Sequence, residues 1–188
     1  MKHFLKTIAL VWLVLTAGSV HSAEILVPGQ QATLTAALGV ATDGDTIRIT
    51  NSANYDEGML VIDKRINLVA DVGQTPVVRA TAVTDAVLQL NVAAAGSHIG
   101  SLDGGTITVD GNGQAAMGMR ILATTTRTYF ENLTVKGFTD TGEECSGAPA
   151  AVQHLFTKVV MDATGASNYG FRPTASEDVA SSVTYSRC

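Results

Sequence analysis

The chain is poor in aromatic residues, cysteine and proline. Of its 188 residues, 5% are aromatic, two are cysteine and four are proline. The single tryptophan, Trp12, lies near the N-terminus. Two cysteines are too few for a disulfide-rich scaffold, and zinc-ligand spacing is absent because His98 and His154 stand alone in the sequence. The fold must therefore rest on a core of aliphatic side chains.

The N-terminal 22 residues have the pattern of a secretory signal peptide. A basic start at Lys2 and Lys6 precedes the apolar run 8–15, which is shorter than a membrane span. Small residues stand at the −3 and −1 positions of a cut before Ala23. We expect residues 1–22 to be removed and the product to be secreted or periplasmic; an uncleaved N-terminal anchor is the alternative.

Acidic charge limits the partners of the mature chain. Without Lys2 and Lys6 it has 10 basic and 17 acidic residues, a net charge of −7. This argues against nucleic acid and anionic membranes as partners. No second apolar stretch approaches membrane length, so no membrane association is expected after signal removal. The length of 23–188 predicts one domain.

Short apolar–x–apolar strings recur along the chain at steps of 19 to 26 residues. Such a period, built from short β-branched runs, is typical of a solenoid, in which each turn buries its apolar face only by stacking on the next. Inward apolar residues would alternate with outward polar residues. The strings are 47–49, 66–68, 88–90, 107–109, 133–135, 159–161 and 183–185.

One segment has helical rather than strand periodicity. Leu34, Leu38 and Ala41 recur at helical spacing. The open end of a stack of turns exposes apolar side chains and unpaired strand groups, and an amphipathic helix laid across it removes both. We therefore predict a short N-terminal capping helix at 33–41.

The rhythm breaks at 139–149 and stops near the C-terminus. Residues 139–149 are rich in glycine and carboxylates and are predicted to form an exposed loop. In an exported protein, two cysteines predict one disulfide, Cys145 to Cys188, with two free thiols as the alternative. Because no capping element follows the last string, three alternatives stay open. These alternatives are that the chain is a fragment truncated at its C-terminus, that its end self-associates with another molecule, or that the disulfide holds the end in place.

Three short motifs near the N-terminus and one later turn carry a family resemblance. GDTI-x-I stands at 44–49, Y-x-E at 55–57 and K-x-I-x-L at 64–68, with a further turn at 107–113. These segments resemble the turns of secreted right-handed parallel β-helix proteins, the pectin-lyase-like superfold. The resemblance implies an all-β, right-handed parallel β-helix solenoid with a short N-terminal capping helix. It also implies an association with polysaccharide binding or degradation.

Catalytic activity stays open at the level of sequence. The superfold hosts lyases, hydrolases and esterases, and also adhesins and phage tailspikes. The motifs of its polygalacturonases (NTD, DD, GHG, RIK), pectate lyases (WIDH, RxPxxR) and pectin methylesterases (QAVAL, DFIFG) are absent. The alternative to a carbohydrate-associated protein is a structural or adhesive surface module, or the N-terminal piece of a longer surface protein.

One predicted column of outward side chains is the candidate binding site for an acidic polysaccharide. Aligning the turns places Arg120, Gln153 and Arg172 outward on successive turns, roughly 5 Å apart. Guanidinium groups bind carboxylates in bidentate fashion, so these three residues are the predicted substrate-binding site. The alternative is an ordinary solvated face of long polar side chains.

Acidic and histidine candidates for chemistry are few. Glycoside hydrolysis would need two carboxylates facing one cleft, and Asp110, Glu131 and Asp162 are the candidates. The turn at Asp110 begins like a calcium loop but lacks the later ligands, so Asp110 and Asn112 are predicted to bond their own backbone. No cofactor or metal is predicted, with calcium as the alternative. His154 is predicted to be a core histidine rather than a general base.

Overall fold

The computed structural model describes residues 22–101, 104–122, 127–146, 154–166, 172–173 and 181–185, with 143–146 and the last two ranges given as backbone path only. Within these ranges the protein is all-β, with every strand pairing parallel, one short α-helix and one 3-10 turn at Val92–Ala94. No helix in this part of the chain is long and apolar enough to cross a membrane. The predicted signal segment lies almost wholly outside the described residues.

The strands stack in three parallel ladders. Ladder 1 contains β1 (Glu24–Val27), β2 (Thr46–Ile49), β5 (Asn67–Ala70), β8 (His98–Gly100), β11 (Tyr129–Glu131) and the first half of β14 (Leu155–Asp162). Ladder 2 contains β3 (Asn54–Glu57), β6 (Val77–Ala80), β9 (Ile107–Asp110), β12 (Leu133–Lys136) and the second half of β14; β16 (Ser181–Tyr185) then pairs with β14. Ladder 3 contains β4 (Leu60–Ile62), β7 (Thr84–Leu90), β10 (Ala115–Leu122), β13 (Thr141–Ser146) and β15 (Arg172–Pro173).

The chain visits the ladders in a fixed order. From β2 to β13 it passes through ladders 1, 2 and 3 and then returns to ladder 1. Ladders 1 and 2 form the 11-stranded sheet, and ladder 3 forms the five-stranded sheet. In two places, one residue in the left-handed region stands where the chain passes from ladder 1 into ladder 2. These residues are Asn132 (φ 50°), after β11, and Lys158 (φ 53°), within β14. This fixed order brings equivalent positions of successive turns into register.

The apolar–x–apolar strings that recur along the sequence belong to more than one ladder. Strings 107–109 and 133–135 are register partners in ladder 2, and 159–161 follows in the same ladder. String 88–90 lies in ladder 3 instead. Within ladder 1 the step is uneven, since Leu68 follows Ile47 by 21 residues and Ile99 follows Leu68 by 31. Unequal loops between ladders, together with a longer β7 than β4 in ladder 3, account for the uneven step.

Inward side chains of the ladders form one largely aliphatic core. Two inward phenylalanines in ladder 1, Phe130 and Phe156, stack with ring centroids 4.8 Å apart and planes 9° from parallel. They extend an inward column of residues that are each at most 1% exposed: Ile47, Leu68, Ile99, Phe130 and Phe156. The other ladders supply the facing side chains, among them Val78, Val109 and Val135 from ladder 2 and Leu60, Leu88 and Met119 from ladder 3.

The helix α1 (Leu34–Val40) lies at the N-terminal end of the stack. Thr33 caps it, because its side-chain oxygen accepts a hydrogen bond from the Ala36 N–H at 3.1 Å. Leu34 and Ala37 are fully buried. The helix contacts β1, β3 and β4, which begin the three ladders. The helix predicted at 33–41 is confirmed, and it packs against the first strand of each ladder.

The segment predicted as an exposed loop contains a strand. β13 pairs in parallel with β10 on one side and β15 on the other, and Thr141 is fully buried. The prediction of a loop is therefore wrong over 141–146, and 147–149 lies outside the described residues. Backbone hydrogen bonds to strands on both sides hold this polar sequence in the ladder, which composition alone does not reveal.

The structure locates the backbone of one of the two cysteines. Cys145 lies in β13, in register with Ile121 of β10 and Pro173 of β15. Cys188 lies outside the described residues, so the Cys145–Cys188 disulfide stays a prediction.

Candidate functional site

The predicted binding column lies on ladder 3. Arg120 of β10 and Arg172 of β15 share one register column, two strands apart. The strand between them places Glu144 in that column, and Gln153, aligned there from the sequence, lies outside the described residues. On the other side, Gln89 of β7 pairs with Arg120. The column therefore has two arginine positions on either side of a glutamate position.

The guanidinium of Arg120 is weakly paired. Its Nη1 lies 3.8 Å from Oδ2 of Asp85, and the two side chains are 31% and 77% exposed. A charge-assisted hydrogen bond is shorter, about 2.7–2.9 Å, and exposed ion pairs contribute little. The amide of the neighbouring Gln89 is engaged with Asn91, to whose Oδ1 it donates at 3.0 Å. Arg120 therefore keeps donors for a carboxylate from outside the chain.

The three acidic candidates lie on two different ladders. Asp110 and Asp162 belong to a ladder 2 column in which Lys136 stands between them, whereas Glu131 lies in ladder 1. The Lys136 Nζ is 3.5 Å from Oδ2 of Asp110. Glu131 is therefore on a different ladder from the other two candidates, and Lys136 separates Asp110 from Asp162 in their column.

The turn after β9 bonds within the stack. The backbone N–H of Asn112 donates to Oδ1 of Asp110 at 2.8 Å, which confirms the predicted Asp110 turn. The Asn112 amide instead donates to the carbonyl oxygen of Ala80, one turn earlier, at 3.2 Å. In the described part of the chain, no three or more histidine, cysteine, aspartate or glutamate side chains are grouped to hold a metal ion.

Outward charges alternate in sign along ladder 2. Arg79 forms a two-point pair with Asp56, Nε to Oδ1 at 2.7 Å and Nη2 to Oδ2 at 2.9 Å. The same alternation continues through the stack, in the order Asp56, Arg79, Asp110, Lys136 and Asp162. Each charge in this column therefore stands beside charges of opposite sign from neighbouring turns.

His154 is buried in the core just before β14. Only 4% of it is exposed, and its ring lies 6.5 Å from the ring of Phe130. Its Nδ1 accepts a hydrogen bond from the Thr128 N–H at 3.4 Å, whereas Nε2 has no partner among the described residues. Burial lowers the pKa of His154 to about 4. The prediction of a core histidine agrees with this position, although only half of its hydrogen-bonding capacity is used.

Sequence reasoning missed a cluster on the outward side of ladder 1. His98 and Tyr129 are register partners with ring centroids 6.4 Å apart, and Nε2 of His98 lies 3.6 Å from Oε2 of Glu131. Burial lowers the pKa of His98, and the Glu131 carboxylate opposes that shift. A pattern shared by 97–99 and 128–130 could have revealed this cluster from the sequence. In each segment a ring side chain stands between a small polar residue and an inward apolar residue.

Described residues line two cavities at the N-terminal end. One, of about 260 Å³, is lined by residues of α1, of β4 and of the segments that flank β4, among them Leu38, Met59 and Lys64. The other, of about 230 Å³, is lined by Thr33, Tyr55 and neighbouring residues. Neither contains Arg120 or the His98–Glu131 pair.

Comparisons with known proteins return no match. No family model, no curated protein and no solved structure matches the chain. Functional proposals for this protein therefore rest on the geometry of its own residues.

Proposed function

We propose that the chain is a right-handed parallel β-helix of the pectin-lyase-like kind. Three ladders visited in constant order, all pairings parallel, and a helix over the first turn support this fold. The motifs behind the resemblance occupy matching places: 44–49 leads into and forms β2, 55–57 lies in β3, and 64–68 leads into β5. In this proposal the chain is exported through the signal segment 1–22, and Cys145 is bonded to Cys188.

The proposed function is binding of an acidic polysaccharide at the outward column of ladder 3. The observation that carries it is Arg120, an outward arginine whose ion-pair partner among the described side chains, Asp85, is 3.8 Å away and mostly exposed. Arg172 stands two strands further along the column, roughly 10 Å away at about 4.8 Å per strand. An extended uronate chain lying along the stack would pass both arginine positions, and a guanidinium such as that of Arg120 can pair with a carboxylate in bidentate fashion. No reaction step is assigned to this column.

Isothermal titration with polygalacturonate and alginate tests the function. We expect wild-type binding and at least tenfold weaker binding by Arg120→Ala. Arg79→Ala is the matched control, because Arg79 is also an outward arginine but is bonded to Asp56 on ladder 2. The absence of wild-type binding, or equal binding by Arg120→Ala, would refute the proposal. New absorbance from unsaturated uronate during the titration would add lyase activity to binding.

A structural or adhesive module is the second candidate. The alternating charges of ladder 2 favour it, because they pair with one another between turns and leave little net field for a charged ligand. Glu144 between the two arginine positions of ladder 3 continues that alternation. If neither acidic glycan binds, this candidate replaces the first.

A further inference from the structure

Ladder 1 carries an exposed apolar surface that the core does not explain. His98, Tyr129 and Leu155 are register partners on β8, β11 and β14. Tyr129 is 43% exposed and Leu155 is 42% exposed, while their chain neighbours Phe130 and Phe156 are buried. In a chain with 5% aromatic residues, a tyrosine ring held outward above a stacked aromatic core is costly to hydrate and well placed to contact a ligand.

Polar groups stand directly beside the Tyr129 ring. Glu131 lies one outward position along β11 from Tyr129, with its side chain 33% exposed. His98 packs against Tyr129 on the neighbouring strand and supports that ring from beneath the surface, because its Nε2 is buried. The surface formed by His98, Tyr129, Glu131 and Leu155, called here the ladder 1 face, combines ring stacking with hydrogen-bonding groups. Ligand sites commonly pair an apolar wall with a few polar groups in this way.

Charge on the ladder 1 face disfavours an anionic ligand. Glu131 contributes a carboxylate, and the arginine at an outward strand position of this ladder, Arg48, is engaged by Glu24 at 2.6 Å and Asp71 at 3.5 Å. Arg127 and Lys158 stand outside these outward positions, in the bends at the two ends of the strands. A carboxylate-bearing polymer would therefore meet a carboxylate of the same sign at the centre of the face.

We propose that the ladder 1 face binds a neutral, hydroxyl-rich polysaccharide. A pyranose ring presents C–H groups to the exposed face of Tyr129, and its hydroxyls donate to the Glu131 carboxylate. Leu155, on the next strand, extends the apolar contact to the adjoining sugar. The site lies on a different ladder from Arg120 and takes a ligand of different charge, so it does not depend on the acidic-glycan function.

Electrophoresis of the full chain through native gels containing hydroxyethyl cellulose, xylan or galactomannan tests this site. We expect retardation by at least one neutral glycan. Tyr129→Ala should weaken binding at least tenfold, and Tyr129→Phe should retain most of it because the ring remains. Glu131→Gln should weaken binding severalfold. Val83→Ala is the matched control, since Val83 is an 87% exposed apolar residue away from this face.

Each outcome bears directly on the site. Lack of wild-type retardation by all three glycans, or unchanged retardation of Tyr129→Ala, would overturn it. Retardation by polygalacturonate that is lost in Tyr129→Ala but kept in Arg120→Ala would overturn both the neutral ligand class and the assignment of acidic glycans to ladder 3. If only polygalacturonate retards the chain, and only Arg120→Ala loses that retardation, the acidic-glycan function is supported and the ladder 1 site is overturned.

Discussion

His154 and Thr128 meet inside the core through a hydrogen bond of 3.4 Å, in which the Thr128 N–H donates to Nδ1 of His154. An imidazole nitrogen that accepts a hydrogen bond must be unprotonated, so this contact requires a neutral ring in the tautomer with its proton on Nε2. The Oγ1 of Thr128 and Nε2 of His154 are both buried without a partner among the described residues. Protonation would therefore place a positive charge in a site that offers it little compensation.

Acid should destabilise the fold through His154. Its pKa falls from 6.5 to about 4 on folding, so its contribution is complete above pH 6.5 and is lost as pH falls towards 4. The loss is up to about 3 kcal/mol at about 1.4 kcal/mol per pKa unit. Urea unfolding between pH 4.5 and 8 should show this slope in the wild type and a flatter one in His154→Gln.

The histidine experiment has a matched control in His98. Burial also lowers the pKa of His98, which contributes with the same sign, but Glu131 opposes its shift. His98→Gln should therefore retain most of the wild-type slope. The stated pH range stays above the titration of Asp45, whose pKa is lowered by the backbone N–H groups of Thr42 and Ala23. Equal slopes for wild type and His154→Gln would refute the assignment.

Removing the Phe130 ring should destabilise the fold strongly. Phe130 is 1% exposed and stacks on Phe156, so Phe130→Ala leaves a cavity in the narrow interior of the stack. We expect a loss of about 3–5 kcal/mol in the free energy of unfolding, measured with urea. Tyr129→Ala, one residue earlier but outward, should cost less than about 1 kcal/mol. Similar costs for the two variants would contradict the assigned inward and outward directions.

Two glycines should respond to alanine in opposite directions. A Cβ on Gly118 would collide with Cγ1 of Val135 and lie 2.7 Å from the Gly142 carbonyl oxygen, whereas a Cβ on Gly39 in α1 would meet no atom within 4 Å. Gly118→Ala should lower the free energy of unfolding by about 3 kcal/mol. Gly39→Ala should raise it by up to about 1 kcal/mol through helix propensity. Thermal melts would measure both, and a tolerated Gly118→Ala would contradict the close approach of β10 and β13.

Glu57 should be required for docking of the helix. Its carboxylate is 7% exposed and accepts hydrogen bonds from the Leu34 N–H at 2.8 Å and the Thr35 hydroxyl at 2.6 Å. Glu57→Gln removes one charge-assisted acceptor and should cost about 1–3 kcal/mol in urea unfolding. Glu24→Gln, at a 51% exposed partner of Arg48, should cost less than about 1 kcal/mol. A larger cost for Glu24→Gln would exclude this role for Glu57.

The N-terminal end was the most predictable part of the fold. Helical spacing of Leu34 and Leu38 before a run of β-branched strings gave the helix and its limits. The structure also shows why two of the resemblance motifs have their polar residues. Glu57 of Y-x-E bonds the first turn of α1, and Asp45 of GDTI-x-I accepts from the Ala23 and Thr42 N–H groups, each at 2.7 Å. The bonds from Glu57 to Leu34 and from Asp45 to Ala23 are long-range, so the sequence showed the motifs without these partners.

The later half was less predictable because register depends on loop length. The strings at 88–90 and 107–109 have the same pattern but belong to different ladders, since periodicity within a strand does not identify its partner. The same limit applies to the candidate sites. Arg120 and Arg172 were placed in one column by alignment, but the residue between them and the meeting of His98 with Glu131 depend on pairing between turns.

The charge column of ladder 2 restricts how this chain can gain or lose length. Its apolar pattern repeats with every turn, but its outward charge repeats only with every second turn. Excising the turn that contains Asp110 would bring Arg79 against Lys136, and duplicating a single turn would likewise place like charges side by side. Duplication of two consecutive turns would therefore preserve the alternation of charge, whereas duplication of one turn would not.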